Sequence, residues 1–265
     1  MIPVLTAGAL RALRRSWCVW ALSLAALIVL TTAFWPAFED SPDTSGLTSS
    51  MPEGLVQALG IGDLGSPEGF LWGNLYALLV PLLMAVAAAS FTTTLTARQE
   101  ESGQYELLLT QPVSRTAVLL ARALAVTTAT LGLGVAVLLV QLVADAVWDL
   151  GTSVPRLLST VVLCTLTALV AGAACLMTAA VTSRPSAVLG AGVGLTVAGY
   201  VVSALFPLRE GWKDFQYVSP WNWALGGEPL TTTADWWRYA APAGLALLLA
   251  AVALPLFDRR DVHAP

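Results

Sequence analysis

The chain has 265 residues, of which 57% are hydrophobic and 11% are charged, and its formal net charge is −4. A mean hydropathy of +0.74 is typical of membrane proteins with several spans and excludes the class of soluble globular proteins. No nucleic-acid partner is expected for such a chain.

Six apolar runs are long enough to cross a bilayer as α-helices, because about 20 helical residues span roughly 30 Å of hydrocarbon. The predicted fold is an all-α polytopic membrane protein, in which residues 1–265 form a single transmembrane domain. The six predicted spans are Trp17–Trp35, Leu71–Ala97, Val118–Ala144, Leu157–Thr182, Ser186–Phe206 and Tyr239–Phe257.

The distribution of charge predicts how these spans are oriented. Nine of the 13 basic residues fall on the side of the N-terminus, whereas 12 of the 17 acidic residues fall on the opposite side. Because loops on the cytoplasmic side of a membrane are enriched in Lys and Arg, we expect both termini to be cytoplasmic.

Residues 1–16 predict an amphipathic helix that lies on the inner surface of the membrane before the first span. Leu5 and Leu13 fall near one side of this helix, and Arg11, Arg14 and Arg15 fall toward the other. An alternative stays open, in which the three arginines only fix the orientation of the first span.

The chain lacks the residues that most catalytic and metal sites require. His263, the only histidine, lies close to the C-terminus, and Lys213, the only lysine, falls in an outer loop, so the chain has no Walker A loop for ATP. Cys18, Cys164 and Cys175 fall within spans, where a thiol behaves as a small buried hydrophobe. We therefore expect that the chain is not an enzyme and holds no metal or cofactor of its own.

Few polar groups fall within the spans, which disfavours ion-coupled transport. Ion-coupled carriers place an ionisable side chain at membrane depth, whereas here the charged residues are assigned to loops, with Arg122 counted in the segment after the second span. Asn74 and Gln141 are the largest polar residues of the spans, and we expect both to have solvated helix-cap roles near the outer ends.

A charged cytoplasmic segment, residues 98–116, separates the second span from the third. Gly103 can end one helix, residues 105–110 can form a short helix that Pro112 stops, and Ser114 is a candidate N-cap of the third span. Apolar side chains beside glutamates suit binding in the groove of a soluble partner with a basic rim. The alternative is a helix pressed onto lipid, but its glutamates would be repelled by an anionic inner leaflet.

The outer segment, residues 207–238, is unusually aromatic, with five tryptophans. We expect it to form short re-entrant helices that cap the outer mouth of the protein, with Trp212, Trp221 and Trp223 as outer-gate candidates. The other long outer loop, residues 36–70, is rich in Pro, Ser, Gly and acidic residues and is expected to be irregular.

The fifth span contains Gly190 and Gly194, four residues apart. Small residues at this spacing allow two helices to approach closely, so the pair is a candidate seam between two subunits. The pattern is common in membrane spans, and an ordinary helix contact is the open alternative.

Three stretches of the sequence resemble parts of one family. "EESGQYELLLTQPVSRTAVLLAR", residues 100–122, resembles the cytoplasmic coupling segment of ABC-2 type ABC transporter permeases. "SPWNWALGGEPL", residues 219–230, is similar to the segment before the last span of exporter-type members, and "FDRRDV", residues 257–262, is similar to their C-terminal ending. The resemblance extends over the whole chain in the number and order of spans.

The resemblance implies two six-span permease subunits in the membrane, each with a cytoplasmic ATPase subunit that binds ATP and Mg²⁺. It implies ATP-driven export across a bacterial inner membrane, and the uncharged Ala, Leu, Val and Thr side chains of the spans favour an amphipathic or hydrophobic molecule as the substrate. A membrane immunity or signalling subunit that docks an ATPase without transport is the alternative, and an ion-coupled carrier is a further one. The residues implied in ATPase coupling are Glu100, Glu101, Gly103, Tyr105, Glu106, Leu107, Leu108, Pro112 and Arg115.

Overall fold

A computed structural model describes residues 2–39, 65–101 and 114–258, most of which are helical, with no β-strand among them. Six stretches are long and apolar enough to cross a membrane, which confirms the predicted all-α polytopic fold. They are Ile2–Ala37, Pro67–Glu101, Arg115–Trp148, Val154–Ala179, Pro185–Leu208 and Trp237–Asp258.

Ten α-helices form the described part of the chain. They are α1 (Ile2–Thr32), α2 (Trp35–Glu39), α3 (Pro67–Leu71), α4 (Leu79–Leu95), α5 (Ala97–Glu101), α6 (Arg115–Trp148), α7 (Val154–Ala179), α8 (Pro185–Leu205), α9 (Pro220–Leu225) and α10 (Trp237–Asp258). A π-helical segment, Trp72–Tyr76, lies between α3 and α4. Two 3-10 segments, Phe206–Leu208 and Glu210–Val218, lie between α8 and α9.

The first helix begins earlier than the predicted first span, which starts at Trp17. Residues 2–32 form one unbroken helix, so no helix boundary separates the predicted surface helix from the first span, and its position at the membrane surface stays a prediction. The N-terminal part packs against α6, where Thr6 Oγ1 donates a hydrogen bond to the carbonyl oxygen of Ala121 at 3.4 Å, and Leu13 is buried. At 1.5 Å per residue α1 is about 46 Å long, which exceeds the roughly 30 Å thickness of a hydrocarbon core.

The second span consists of several short helical pieces. It begins where the Oγ of Ser66 caps α3 by accepting a hydrogen bond from the Gly69 amide at 3.1 Å. It continues through the π segment into α4 and ends in α5. The backbone leaves helical geometry at Leu78, with φ −142° and ψ −54°, and again at Thr96. A π turn is wider than an α turn and is frequent at functional sites, and this one forms a wall of a pocket described below.

The third span extends beyond the predicted residues 118–144 at both ends. Ser114 caps it as predicted, with its Oγ accepting a hydrogen bond from the Ala117 amide at 3.3 Å. Arg122 lies about two turns inside this helix, and only 5% of its surface is exposed. The expectation that the spans contain no charged residue is therefore wrong, because Arg122 lies within the predicted bounds of the third span, 118–144, and is buried in its helix.

Gln141 also differs from its predicted solvated role. It is completely buried within α6, and its Oε1 accepts a hydrogen bond from the Tyr76 hydroxyl at 3.2 Å. Asn74 instead bonds within its own span, where its Nδ2 donates to the carbonyl oxygen of Phe70 at 2.9 Å. Since a buried amide is costly unless it is hydrogen-bonded, the Tyr76–Gln141 pair ties the second span to the third.

Helix α7 lies at the centre of the bundle, in contact with α4, α6, α8 and α10. Of its most apolar stretch 78% is buried, whereas the figure is 17% for the first and sixth spans and 22% for the fifth. Small residues permit this packing: Thr92 of α4 donates from its Oγ1 to the carbonyl oxygen of Gly172 at 3.3 Å. The first helix lies along α6, where Trp17 Nε1 donates to the carbonyl oxygen of Ala129 at 2.9 Å.

The glycines of α8 provide a matched test of this packing. A Cβ atom at Gly192 would lie 2.5 Å from the Cys175 Sγ and 2.7 Å from the Ala171 carbonyl oxygen, whereas one at Gly190 would have no atom within 4 Å. We expect Gly192→Ala to destabilise the protein by about 1–3 kcal/mol through overpacking. Thermal unfolding in detergent measures this, with Gly190→Ala as the control for helix propensity. Equal midpoints for the two variants would contradict the close contact of α8 with α7.

Labelling with a membrane-impermeant maleimide tests the orientation of the bundle. Ser183, between α7 and α8, and Asp235, just before α10, are exposed residues at opposite ends of spans. In a background with the exposed Cys18 replaced by Ala, we expect Asp235→Cys to react in intact cells and Ser183→Cys to react only after permeabilisation. The reverse pattern would show that the termini are outside.

Candidate functional site

Of the predicted coupling segment, residues 98–116, the structure describes only the two ends, 98–101 and 114–116. Helix α5 ends the second span and carries Glu100 and the exposed Glu101, and α6 begins at Arg115. Both helices thus lead into the same segment from the membrane. The predicted coupling residues Gly103, Tyr105, Glu106, Leu107, Leu108 and Pro112 lie outside the described residues, and their role stays a prediction.

A hydrogen bond joins the two helices beside this segment. The Nη2 of Arg122 in α6 donates to the Oε1 of Gln99 in α5 at 3.0 Å. A hydrogen bond that involves a charged group is stronger than a neutral one, and burial strengthens it further. The contact therefore connects the end of the second span to the first turns of the third. The predicted bounds of the third span, 118–144, already include Arg122, but no local sequence signal identifies Gln99 as its partner.

The outer segment is ordered and is anchored to α8 by hydrogen bonds at its centre. Ser219 caps α9, and its Oγ donates to the carbonyl oxygen of Gly199 in α8 at 2.6 Å. Arg238 is the second residue of α10 and donates from Nη1 to the carbonyl oxygen of Asn222 at 3.2 Å. Helix α9 also contacts α7 and α10, so this short helix is packed against three spans.

The three tryptophans predicted as an outer gate have different surroundings. Trp221 is buried, with its ring 5.4 Å from that of Tyr200 in an edge-to-face arrangement. Trp223 is half-buried, and its Nε1 donates to the carbonyl oxygen of Tyr217 at 2.7 Å. Trp212 is 44% exposed and lies beside Phe206, with ring centroids 5.1 Å apart. Trp221 is thus part of the bundle core, whereas Trp212 lies at the surface of the outer segment.

The predicted seam residues lie on an open face of α8. A Cβ atom at Gly190 or at Gly194 would meet no atom within 4 Å. Gly192, between them in sequence, faces Cys175 of α7 instead. The two faces of α8 therefore differ, since one packs within the chain and the other is free to approach another molecule. The seam itself stays a prediction.

The cavities among the spans include an apolar one and a polar one. An apolar cavity of about 260 Å³ lies between α4, α6, α7 and α10, with Val126, Leu166, Leu176 and Ala246 among its lining residues. A polar pocket of about 140 Å³ lies between the π segment, α8 and the outer segment, and Trp221 forms part of its wall. Neither cavity could be predicted from the sequence, because each combines segments that are far apart in the chain.

The described residues contain no group of three or more His, Cys, Asp or Glu side chains that could hold a metal ion.

A comparison with curated proteins found no match. A comparison with protein families found that residues 9–262 match the model of the ABC-2 family transporter proteins. The match covers nearly the whole chain and includes all six spans, and the chain belongs to the ABC-2 family of membrane transporter proteins.

Proposed function

We propose that this chain is the membrane-spanning permease subunit of an ATP-driven transporter. The observation that supports it most directly is the family match over residues 9–262. In this proposal a separate cytoplasmic ATPase subunit docks on residues 98–116 and supplies the energy. The chain has no Walker A loop, so ATP and Mg²⁺ bind to the partner and not to the permease.

The contacts at the coupling segment support a route for the transmitted motion. Glu101 is exposed at the end of α5, where a basic partner surface can reach it. Two residues before Glu101, the side chain of Gln99 accepts a hydrogen bond from Arg122 of α6. A partner that moves α5 therefore also acts on the third span, which runs through the membrane to Trp148. Nucleotide-driven closure of two ATPase subunits would in this way rearrange the spans and alternate access between the two sides.

A second permease subunit forms part of the proposal. The open face of α8, with Gly190 and Gly194, allows the close backbone approach that membrane helices use to associate. The low burial of the fifth span agrees with a surface that meets either lipid or another subunit. We propose that the substrate crosses between the two copies, whether these are identical or not.

The chemistry of the spans favours an amphipathic or hydrophobic substrate that is exported. Leucine, alanine, valine and threonine dominate the spans, and several threonine hydroxyls bond to carbonyl oxygens of their own helix, as Thr93 does to Ala89 at 2.8 Å. Such a path offers no fixed charge with which to bind a small ion. The proposed location is the bacterial inner membrane, with both termini cytoplasmic.

Charge reversal in the coupling segment tests ATPase docking. We expect Glu101→Lys combined with Glu106→Lys to weaken association with the ATPase subunit by about tenfold or more, because charge complementarity at the interface is lost. Copurification of the ATPase with the tagged permease measures this. Asp258→Lys, at the exposed end of α10 on the same side of the membrane, is the matched control and should retain wild-type stoichiometry.

The outcomes separate the proposal from its alternatives. Wild-type ATPase stoichiometry in the double variant would contradict docking at this segment. Intact docking in the wild-type protein, with stimulated ATP hydrolysis but no flux of hydrophobic compounds into vesicles, would favour an immunity or signalling subunit. Flux that follows an imposed ion gradient and needs no ATP would favour an ion-coupled carrier.

A further inference from the structure

The polar pocket of about 140 Å³ lies where the second and fifth spans meet the outer segment. Three of the residues that line it are aromatic, namely Trp72 from the π segment, Tyr200 from α8 and Trp221 from α9. Ser203, Gln216 and Glu228 add a hydroxyl, an amide and a carboxylate. The pocket therefore combines aromatic rings with one carboxylate, the only charged side chain among its lining residues.

The charge of this pocket is uncompensated by the residues that line it. Glu228 is the one charged residue in its wall, and no Lys, Arg or His lines it. Within the described part of the chain, Glu228 makes no ion pair, and its Oε2 accepts a hydrogen bond from the Thr231 hydroxyl at 3.4 Å. Arg238, the basic residue at the start of α10, is directed to the carbonyl oxygens of Asn222 and Trp223 and stacks over Trp237.

The backbone holds Glu228 in a conformation that residues other than glycine seldom adopt. Its φ angle is +48°, in the left-handed region. The carbonyl oxygen of Glu228 accepts hydrogen bonds from the amides of Thr231 and Thr232 at 3.0 and 2.9 Å, which fixes the turn. Strained residues of this kind are concentrated at ligand sites, and here the strain fixes the backbone of the residue that carries the carboxylate.

We propose that this pocket binds a compact organic cation, namely an ammonium head group that carries alkyl substituents. Aromatic rings attract such cations through their negative faces, and recognition of quaternary ammonium groups by aromatic cages is well established. The carboxylate of Glu228, the one charged group that lines the pocket, adds a direct charge attraction. The volume lies below the roughly 300 Å³ of pockets that hold drug-sized ligands, so the pocket suits a head group and not a large molecule.

Two sources can supply this chemistry, a free amine or the head group of a lipid. The pocket lies at the end of the spans that the charge distribution assigns to the outside, where both sources are available. Binding there requires neither the ATPase nor transport. The inference therefore goes beyond the proposed function and stands or falls separately from it.

Calorimetric titration of the full-length protein with choline tests the proposal. The protein is placed in nanodiscs of phosphatidylglycerol, which has no ammonium group, and the neutral analogue of choline in which carbon replaces nitrogen is titrated in parallel. We expect saturable choline binding, binding of the neutral analogue at least about tenfold weaker, and a loss of about tenfold or more in Glu228→Gln. Asp235→Asn, which removes an exposed carboxylate from the same outer segment, should bind choline as the wild type does.

A second variant decides the matter if Glu228→Gln does not fold. Ala204→Leu fills part of the pocket and keeps the carboxylate, and it should abolish binding. The proposal is overturned if the wild type shows no saturable choline binding, if the neutral analogue binds equally well, or if the folded variants keep wild-type affinity. Nanodiscs that contain phosphatidylcholine distinguish the sources: weaker apparent choline binding supports a lipid head group, and unchanged binding supports a free amine.

Discussion

Close packing around α7 is the constraint on which the rest of the bundle depends. Membrane helices gain little from the hydrophobic effect when they associate in lipid, so close contacts between small residues must hold them together. Gly172 brings α7 against α4, and Gly192 brings α8 against the Ala171 backbone of α7. With the second and fourth spans buried in this way, the first, fifth and sixth spans keep apolar faces for lipid or for another subunit.

Polar contacts between spans are found at both ends of the bundle. At the end that leads into the coupling segment, Arg122 bonds to Gln99 and joins the second and third spans. At the other end, Ser219 and Trp221 pack the outer segment onto α8. Between these ends the spans are mostly apolar, so the proposed docking of a partner and the proposed binding of a cationic head group lie at opposite ends of the bundle.

The number of spans could be predicted because a run of about 20 apolar residues has few alternatives to a membrane helix. The environments of Arg122 and Gln141 could not, since their partners Gln99 and Tyr76 lie 23 and 65 residues away in the chain. The sequence does not show whether residues 1–16 continue into the first span, because apolar residues have the same spacing in a surface helix and in a helix packed against other helices. The coupling segment is predicted from its own residues and stays a prediction, whereas the outer pocket forms only when three distant segments meet.

If a docked ATPase acts on the spans through the Gln99–Arg122 contact, these two side chains must work as one unit. A double-mutant cycle in the complete complex measures this directly, with ATP hydrolysis stimulated by the permease as the readout. We predict that Gln99→Ala and Arg122→Met each retain the ATPase at wild-type stoichiometry and lower the stimulated hydrolysis, and that the double variant lowers it no further. Wild-type stimulation in all three variants, or losses that multiply in the double variant, would contradict coupling through this contact.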